Sequence, residues 1–453
     1  MPKSAFPPAF VKNMSSLLGS EVDSFFDALE EPAPTSIRKN PFKKPIISSD
    51  EKVGWAEQGI YLPERPSFTL DPLFHGGTYY VQETSSMFLE QAFSQHVSEG
   101  EPLKVLDLCA APGGKSTHLA SLINGDSLLV SNEVIQSRAN ILSENLQKWG
   151  TPNVVITQND PSRFTPLTNL FDVILVDAPC SGEGLFRRDK KAVAEWSEES
   201  VKLCSQRQKR ILMDVWPALK PGGVLIYSTC TYNRSENEEN LHWLKEQEDF
   251  ESLPITLASN WGVQEVNEKD VFAYRFFPHF LKGEGLFYSV LKKADDIGHE
   301  PNMRVKRPQY IKSKAHQHLN NDWLINSDDR TILERGQQVL SFQIDQLVLL
   351  NYLTEKLSVI HAGIDLGEVG RKEVIPSAAL ALSNNINRGN FTEYGLDEST
   401  ALKYLKKEAI YLEGLAQGWV LVNYQDTPLG WCKHLGNRTN NYFPKPWRIR
   451  MDI

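Results

Sequence analysis

The sequence has no apolar run that approaches the roughly 20 residues of a membrane-spanning helix. Residues 1–12 lack the basic start and the uninterrupted apolar segment of a signal peptide. The five cysteines, an odd number spread widely over 453 residues, do not have the spacing of a disulfide framework. We therefore expect a cytoplasmic protein with free thiols and no membrane association.

Two common nucleotide-binding patterns are also missing. Gly114-Lys115-Ser116 resembles the end of a phosphate-binding loop, but the glycine that this motif needs six residues before the lysine is replaced by Cys109. The dinucleotide pattern G-x-G-x-x-G is absent. A nucleotide hydrolase built on this loop is an alternative that Cys109 disfavours.

The overall charge offers little support for a nucleic-acid partner. A net charge of −9 is unfavourable for binding phosphates, which requires local positive charge. Residues 303–314 and 428–450, however, each contain five Lys or Arg and no Asp or Glu. Either run alone is explained equally well as solvated surface charge, but together they indicate a basic face.

The most informative stretch is residues 103–117. A short apolar run, 105–108, leads into a turn with Pro112, Gly113 and Gly114, and a helical pattern follows over 115–122. Glycines in such a strand–turn–helix unit allow the backbone to approach a ligand, and the free N–H groups of the helix favour an acceptor-rich or anionic group. Glu133 ends the next apolar run, 20 residues after Gly113, where an acid can bind ribose hydroxyls. An adenosine-bearing cofactor without a triphosphate fits best.

From residue 104 onward, strand and helix patterns alternate. This alternation predicts an α/β fold with a mostly parallel sheet covered on both faces, in which ligands bind at the carboxyl ends of the strands. The predicted helices are 115–122, 137–149, 198–219 and 234–245, the strands are 105–108, 127–132, 153–157, 171–176 and 224–228, and 271–276 and 285–291 form an antiparallel pair. The polar groups expected at the carboxyl edge are Asp107, Glu133, Asp160, Asp177, Cys180 and Cys230.

The flanking regions predict smaller domains. An amphipathic helix over 9–29 and a possible helix over 84–92 belong to a small α+β N-terminal cap. The polar stretch 294–325 is interpreted as a linker or surface extension. A helix over 400–412 and strands over 419–424 and 429–434, around a turn at 426–428, predict a β-rich C-terminal module. The expected division is 1–100, 101–293, 294–385 (linker and intermediate domain) and 386–453.

Two of the five cysteines have a reactive context. Cys109, Cys204 and Cys432 are interpreted as small core residues. Cys180 and Cys230 each follow a strand, and a helix beginning near Arg234, together with Arg187 or Arg188, is expected to lower a thiol pKa from about 8.5. Neither cysteine has a nearby Cys or His partner for zinc, so we expect no metal. A redox-active pair is an alternative, but the two cysteines lack the C-x-x-C spacing typical of one.

Three linked motifs follow one another along the chain: residues 105–115, residues 177–180 (Asp-Ala-Pro-Cys) and residues 228–230 (Ser-Thr-Cys). Together they resemble the NOL1/NOP2/Sun (RsmB/NOP) family of RNA cytosine-C5 methyltransferases, which use S-adenosylmethionine. The resemblance covers about residues 36–293 and implies a class I, Rossmann-like methyltransferase core. The C-terminal region is similar to the PUA-like end of a bacterial branch that modifies 16S ribosomal RNA. Residues 38–40, 77–86 and 285–288 support the resemblance, and the similarity of the C-terminal region lies at 418–422 and 428–430.

The resemblance implies a role for each matching residue. Cys230 would be the nucleophile that adds to cytosine C6, Cys180 would assist elimination and product release, and Asp177 would contact the base. Glu133 would bind the cofactor ribose and Asp160 the adenine edge. The methionine part would be held by Cys109, Ala110, Ala111, Pro112, Gly113, Gly114 and Lys115, and Arg138 and Asp177 complete the expected cofactor set.

Several alternatives remain open from the sequence. DNA cytosine methyltransferases use a Pro-Cys thiol as the nucleophile, so the roles of Cys180 and Cys230 are exchangeable. The substrate could be tRNA or 23S rRNA, and a non-catalytic RNA-binding assembly factor is a candidate from another class. An amino-methyltransferase would place an aromatic residue where Cys180 stands. We expect the protein to act as a monomer on 16S rRNA in the small ribosomal subunit.

Overall fold

The computed structural model describes residues 5–44, 47–98, 100–295 and 301–451. The N-terminal region forms a three-stranded antiparallel sheet, ordered β2-β1-β3, with two helices before it. Its elements are α1 (Pro8–Leu18), α2 (Val22–Glu30), β1 (Thr35–Lys39), β2 (Gly59–Leu62), α3 (Pro72–His75), β3 (Tyr79–Val81) and α4 (Leu89–Ser94).

The central region alternates strands and helices as predicted. Its elements are β4 (Lys104–Asp107), α5 (Gly114–Leu122), β5 (Leu128–Asn132), α6 (Gln136–Trp149), β6 (Val154–Thr157), β7 (Phe171–Asp177), α7 (Lys190–Glu195), α8 (Glu198–Val215), β8 (Leu219–Thr229), α9 (Glu238–Gln247), β9 (Phe250–Ser252), β10 (Gln264–Glu268), β11 (Val271–Phe276) and β12 (Leu286–Lys293).

The C-terminal region builds two further sheets, ordered β13-β14-β15-β17-β18 and β19-β20-β21-β22. Its elements are β13 (Ile311–Lys312), α10 (Leu319–Trp323), β14 (Arg330–Arg335), β15 (Gln338–Gln343), α11 (Leu347–Lys356), β16 (Val359–Ala362), β17 (Ile364–Val369), β18 (Val374–Pro376), α12 (Ala378–Leu382), β19 (Thr392–Gly395), α13 (Glu398–Leu405), β20 (Gly418–Tyr424), β21 (Thr427–His434) and β22 (Thr439–Asn441).

The large sheet positions the site. Its order is β10-β11-β12-β8-β7-β4-β5-β6-β16, and the five strands from β8 to β6 run parallel. The order in which the chain adds strands reverses at β4: β5 and β6 are added on one flank, and β7 and β8 on the other. In doubly wound sheets, a ligand crevice opens outside the carboxyl ends of the strands at such a reversal. The α/β prediction and the antiparallel pair β11–β12 are confirmed.

Some sequence predictions differ from the structure. The predicted helix 9–29 is two helices, because Gly19 ends α1 with a positive φ of 55°, which does not continue a right-handed helix. The predicted helix 198–219 ends at Val215, because Pro217 cannot continue a helix, and the Pro-Gly-Gly segment that follows lies within β8. The predicted helix 234–245 begins only at Glu238.

The C-terminal predictions also need correction. The interpretation of 294–325 as a linker is wrong for its later part, which contains β13 and α10, while residues 296–300 lie outside the described residues. The helix predicted at 400–412 is α13 and ends at Leu405. The β20–β21 turn is at Gln425-Asp426, both with positive φ, and not at 426–428. Among the described residues, no helix is long and apolar enough to cross a membrane.

The N-terminal region packs directly on the central one. Arg38, almost fully buried, donates from Nη2 to Thr117 Oγ1 at 2.6 Å, and its guanidinium lies 4.5 Å from the ring centroid of Trp149. Asn40 Nδ2 donates to the carbonyl oxygen of Trp149 at 2.9 Å. The N-terminal sheet is therefore held against α5 and the end of α6.

Candidate active site

A cavity of about 560 Å³ opens at the carboxyl ends of the parallel strands. This volume lies in the range of small-molecule sites. Its walls combine apolar side chains with three carboxylates, three arginines and three thiols. The lining residues are Leu108, Cys109, Ala111, Asn132, Glu133, Val134, Ile135, Arg138, Asp160, Pro161, Asp177, Ala178, Pro179, Cys180, Gly182, Leu185, Arg207, Arg210, Ile211 and Cys230.

Two acids that follow neighbouring strands form one side of the cavity. Glu133, just after β5, is buried, and its Oε1 accepts a hydrogen bond from the backbone N–H of Ile135 at 2.9 Å. Arg138 Nη2 lies 3.5 Å from Glu133 Oε2 and donates to the carbonyl of Ala111 at 2.8 Å. Asp160, after β6, pairs with Arg210 at 3.2 Å. Both carboxylates are thus oriented by local donors.

The glycine turn contributes less cavity surface than its motif suggests. Cys109 and Ala111 line the cavity, whereas the other residues expected there, Ala110, Pro112, Gly113, Gly114 and Lys115, are not among its lining residues. Gly113 has a φ of 115°, and a Cβ on it would lie 3.3 Å from Leu142 on α6. A Cβ on Gly114 would lie 3.3 Å from Tyr80. These glycines allow α6 and the N-terminal region to approach the turn closely.

Asp177 ends β7 and is held by two donors. Ser228 Oγ donates to Asp177 Oδ1 at 2.8 Å, and Lys115 Nζ lies 2.8 Å from Asp177 Oδ2. The Lys115 side chain is nearly buried, while the Asp177 side chain is one-third exposed. Lys115 therefore does not line the cavity itself, but it orients the Asp177 carboxylate that does.

A second acid lies beneath this pair. Asp107 is completely buried at the end of β4, and its Oδ2 accepts a 2.6 Å hydrogen bond from Ser116 Oγ. Its Oδ1 has no hydrogen-bond partner within the described part of the chain. Burial raises the pKa of Asp107 to about 7, against the lowering effect of the Ser116 hydrogen bond. Asp107 supports the turn from below and does not line the cavity.

The two cysteines expected to react are in contact. Cys180 Sγ and Cys230 Sγ are 2.8 Å apart, and both residues line the cavity. Cys109 also lines it, whereas Cys204 lies within α8 and Cys432 is buried in β21. The chain therefore places two thiols of distant segments at one end of the site.

The expected lowering of the thiol pKa is wrong for Cys180. The hydrogen bond with Cys230 and burial raise the pKa of Cys180 well above its ordinary value. The cations thought to stabilise a thiolate are engaged elsewhere: Arg187 Nη1 donates to the carbonyl of Gly283 at 2.8 Å, and Arg188 pairs with Glu284 at 3.4 Å. The helix expected near Arg234 begins four residues later.

Three polar lining residues were not expected from the sequence. Asn132, the last residue of β5, donates from Nδ2 to the carbonyls of Leu108 and Asn159, at 3.1 and 2.9 Å, and so connects three strand ends. Arg207 and Arg210 reach the cavity from α8. Their spacing of three residues marks one helix face, but nothing in the sequence indicates that this face borders the cavity.

Family models match three segments of the chain. The model of the 16S rRNA methyltransferase RsmB/F matches residues 96–292. The N-terminal domain of 16S rRNA methyltransferase RsmF matches residues 6–84, and the methyltransferase RsmF PUA domain matches residues 391–449.

Full-length relatives and solved structures agree with these models. Ribosomal RNA small subunit methyltransferase F of Pectobacterium atrosepticum is 31% identical, and the match covers 97% of this chain and 95% of the relative. The protein of the same name from Shewanella loihica is 33% identical, and the match covers 94% of this chain and 91% of the relative. A methyltransferase homolog protein from Pyrococcus horikoshii superposes with a TM-score of 0.54 and 29% identity over 64% of this chain and 95% of its own. The chain therefore belongs to the RsmF branch of the RsmB/F family of 16S rRNA methyltransferases.

Proposed function

We propose that the protein transfers a methyl group from S-adenosylmethionine to C5 of a cytosine in 16S rRNA through a covalent cysteine adduct. The observation that carries this proposal is the contact between the Cys180 and Cys230 sulfurs at 2.8 Å, at one end of a cavity of nucleoside size. Cytosine C5 is a poor nucleophile, and a neighbouring thiol provides the covalent activation that this chemistry needs.

The cavity suits the adenosine part of the cofactor. Glu133 provides a buried carboxylate for ribose hydroxyls, and Asp160 provides an acceptor for an exocyclic amine. Ile135, Pro161 and Ile211 offer apolar surface to a purine ring. We assign the methionine part to the turn at Cys109 and Ala111, with Ala110, Pro112, Gly113, Gly114 and Lys115 supporting that turn and Arg138 fixing it through the carbonyl of Ala111. When bound, the cofactor supplies an electrophilic methyl group on sulfur.

The chain supplies the covalent chemistry. The Cys230 thiolate adds to cytosine C6, which makes C5 electron-rich and able to accept the methyl group. Loss of the C5 proton then restores the C5–C6 double bond and expels the Cys230 thiolate. Cys180, in contact with Cys230, assists this elimination and the release of the product. Asp177, oriented by Ser228 and Lys115, contacts the N3 or amino edge of the base.

RNA contacts outside the cavity are assigned to the flanking regions. All five basic side chains of residues 303–314 are exposed. The second basic run, residues 428–450, falls almost entirely within the segment that matches the PUA domain, residues 391–449. We propose the domain division 1–100, 101–293, 294–385 and 386–453, with β16 as a strand that the third region adds to the catalytic sheet. Because one chain provides the complete cavity, we propose that a monomer acts on the small-subunit RNA in the cytoplasm.

The test compares Cys180→Ala and Cys230→Ala, each incubated with S-adenosylmethionine and 16S rRNA and then separated on a denaturing gel. A covalent protein–RNA band that persists only in Cys180→Ala supports Cys230 as the nucleophile. A band only in Cys230→Ala reverses the two roles. No band in either variant, with an active parent protein, contradicts a covalent mechanism, and an inactive parent contradicts the substrate. Cys230→Ala is expected to retain its affinity for S-adenosylhomocysteine.

A further inference from the structure

Two buried glutamates join the loops that carry the two cysteines. Glu183, three residues after Cys180, is 1% exposed, and Glu236, six residues after Cys230, is 0% exposed. Neither lines the cavity. Burying an ionisable side chain is costly unless donors compensate it, so two such residues beside the reactive thiols require an explanation.

Glu183 reaches from the first loop to the second. Its Oε2 accepts hydrogen bonds from Thr231 Oγ1 at 2.8 Å and from the backbone N–H groups of Tyr232 and Asn233, both at 2.9 Å. Its Oε1 accepts from Trp196 Nε1 at 3.0 Å. Backbone and indole N–H groups can only donate, so both oxygens act as acceptors. The carboxylate thus gathers three consecutive residues that follow Cys230.

Glu236 makes the reciprocal connection. Its Oε2 accepts from the backbone N–H of Ser181 at 3.0 Å and from Gln208 Nε2 at 2.7 Å. Its Oε1 accepts from Asn233 Nδ2 at 2.7 Å. Ser181 directly follows Cys180, so this carboxylate ties the residue next to one thiol to the segment after the other.

Direct contacts complete the connection. The backbone N–H of Gly184 donates to the carbonyl of Cys230 at 2.9 Å. Ser181 Oγ lies 3.1 Å from Thr231 Oγ1. Behind the second loop, the rings of Tyr232 and Phe25 of α2 pack edge to face with centroids 5.1 Å apart. Each thiol is therefore followed by residues fixed to the other loop.

We propose that Glu183 and Glu236 are positioning residues whose carboxylates hold the Cys180 and Cys230 sulfurs in contact for adduct formation and release. They act through the loops and do not touch the substrate. This inference rests on the proposed function, because the contact between the two thiols matters only if Cys180 and Cys230 act together in the reaction.

The test uses Glu183→Gln in the full-length protein. In this variant an NH₂ group replaces one of the two carboxylate oxygens, so its N–H groups face donors instead of accepting from them. These donors are either those of Thr231, Tyr232 and Asn233 or that of Trp196. We expect kcat for methylation of 16S rRNA to fall by up to about a hundredfold, the loss that a misplacement of about 1 Å can cause. Affinity for S-adenosylhomocysteine should stay within a few fold, because neither glutamate lines the cavity.

A second readout reports the positions of the sulfurs directly. Diamide takes up the two thiol hydrogens as Cys180 and Cys230 form a disulfide, and peptide mass mapping follows this particular bond. We expect the rate of disulfide formation to fall in both Glu183→Gln and Glu236→Gln. Because Glu236→Gln alters fewer hydrogen bonds, it replaces Glu183→Gln in this experiment if that variant does not fold.

Asp172→Asn is the matched control. Asp172 also accepts from a backbone N–H, that of Lys104 at 2.7 Å, and from Lys220 Nζ at 2.6 Å, but it lies at the opposite end of β7. We expect kcat and the disulfide rate of this variant to match those of the parent. Equal disulfide rates in the glutamate variants and the parent would overturn the proposal. Should the parent not methylate 16S rRNA, the proposed function fails, while the disulfide rates still test the positions of the thiols.

Discussion

Lys115 Nζ lies 2.8 Å from Asp177 Oδ2, so the second residue of α5, just after the glycine turn, is paired with the acid at the end of β7. Burial alone lowers the pKa of Lys115, but the charge and hydrogen bond of Asp177, together with Tyr288 and Cys230, outweigh this effect, and the pKa of Lys115 is raised. The ammonium group is therefore charged and committed to the carboxylate. Its position connects the turn expected to hold the cofactor with the residue expected to contact the base.

Lys115→Met tests whether this pairing serves catalysis. We expect kcat to fall roughly tenfold to a hundredfold, because Asp177 loses a charged donor that orients it. Affinity for S-adenosylhomocysteine, measured by calorimetry, should change less than kcat, since Lys115 does not line the cavity. Lys115→Arg keeps the charge and should retain more activity. A large loss of affinity with unchanged kcat would instead assign Lys115 to the cofactor.

The sequence predicted which side chains meet at the carboxyl edge of the sheet, except that Asp107 does not line the cavity. Glu133, Asp160, Asp177 and the two cysteines follow parallel strands, and the carboxyl ends of such strands meet at one edge whatever the details of packing. Helix ends were predicted less well, because a single residue such as Gly19 or Pro217 decides them.

The contacts that needed tertiary structure could not be predicted. Strand β16 comes about 200 residues after its partner β6 in the chain, and no local pattern predicts that pairing. Arg207 and Arg210 reach the cavity only because of how α8 packs. Glu183 and Glu236 are polar residues in polar loops, and their complete burial follows from the contact of two distant segments.

Asp107 should make stability depend on pH. Burial raises the pKa of Asp107 from 3.8 to about 7, so between these values the folded protein retains a proton that the unfolded chain has released. Protonation therefore favours the folded state below about pH 4, and this contribution is lost progressively as pH rises to 7. The full shift corresponds to about 4 kcal/mol.

Urea unfolding at several pH values between 5 and 8 measures this effect. Asp107→Asn cannot titrate, and its amide oxygen can still accept from Ser116. Its free energy of unfolding should decline less than that of the parent over this range. Parallel curves for the two proteins would show that Asp107 titrates normally.

Arg38→Met should weaken the attachment of the N-terminal region. The change removes hydrogen bonds to Gln82 Oε1 at 2.8 Å and to Thr117 Oγ1 at 2.6 Å, together with the contact over Trp149. Because buried acceptors lose their donor, we expect the free energy of unfolding to fall by about 3 kcal/mol. Lys39→Met, at the next position of β1, is the control and should stay within about 0.5 kcal/mol of the parent. Similar losses in both variants would contradict a specific role for the guanidinium.

Gly184→Ala tests the close packing of the segment after Cys180 against Gly285, just before β12, and against Cys230. An added Cβ would lie 2.2 Å from the carbonyl oxygen of Gly285 and 3.0 Å from that of Cys230. Both obstacles are backbone atoms, so the segment around Gly184 must move away from Gly285 and Cys230, and we expect a loss of about 1–3 kcal/mol in the free energy of unfolding. Methyl transfer should fall further than stability explains, because one of the two carbonyls belongs to Cys230, the proposed nucleophile. Gly125→Ala, where a Cβ meets nothing within 4 Å, should leave both properties nearly unchanged. If Gly184→Ala kept full activity, this close packing would not limit the reaction.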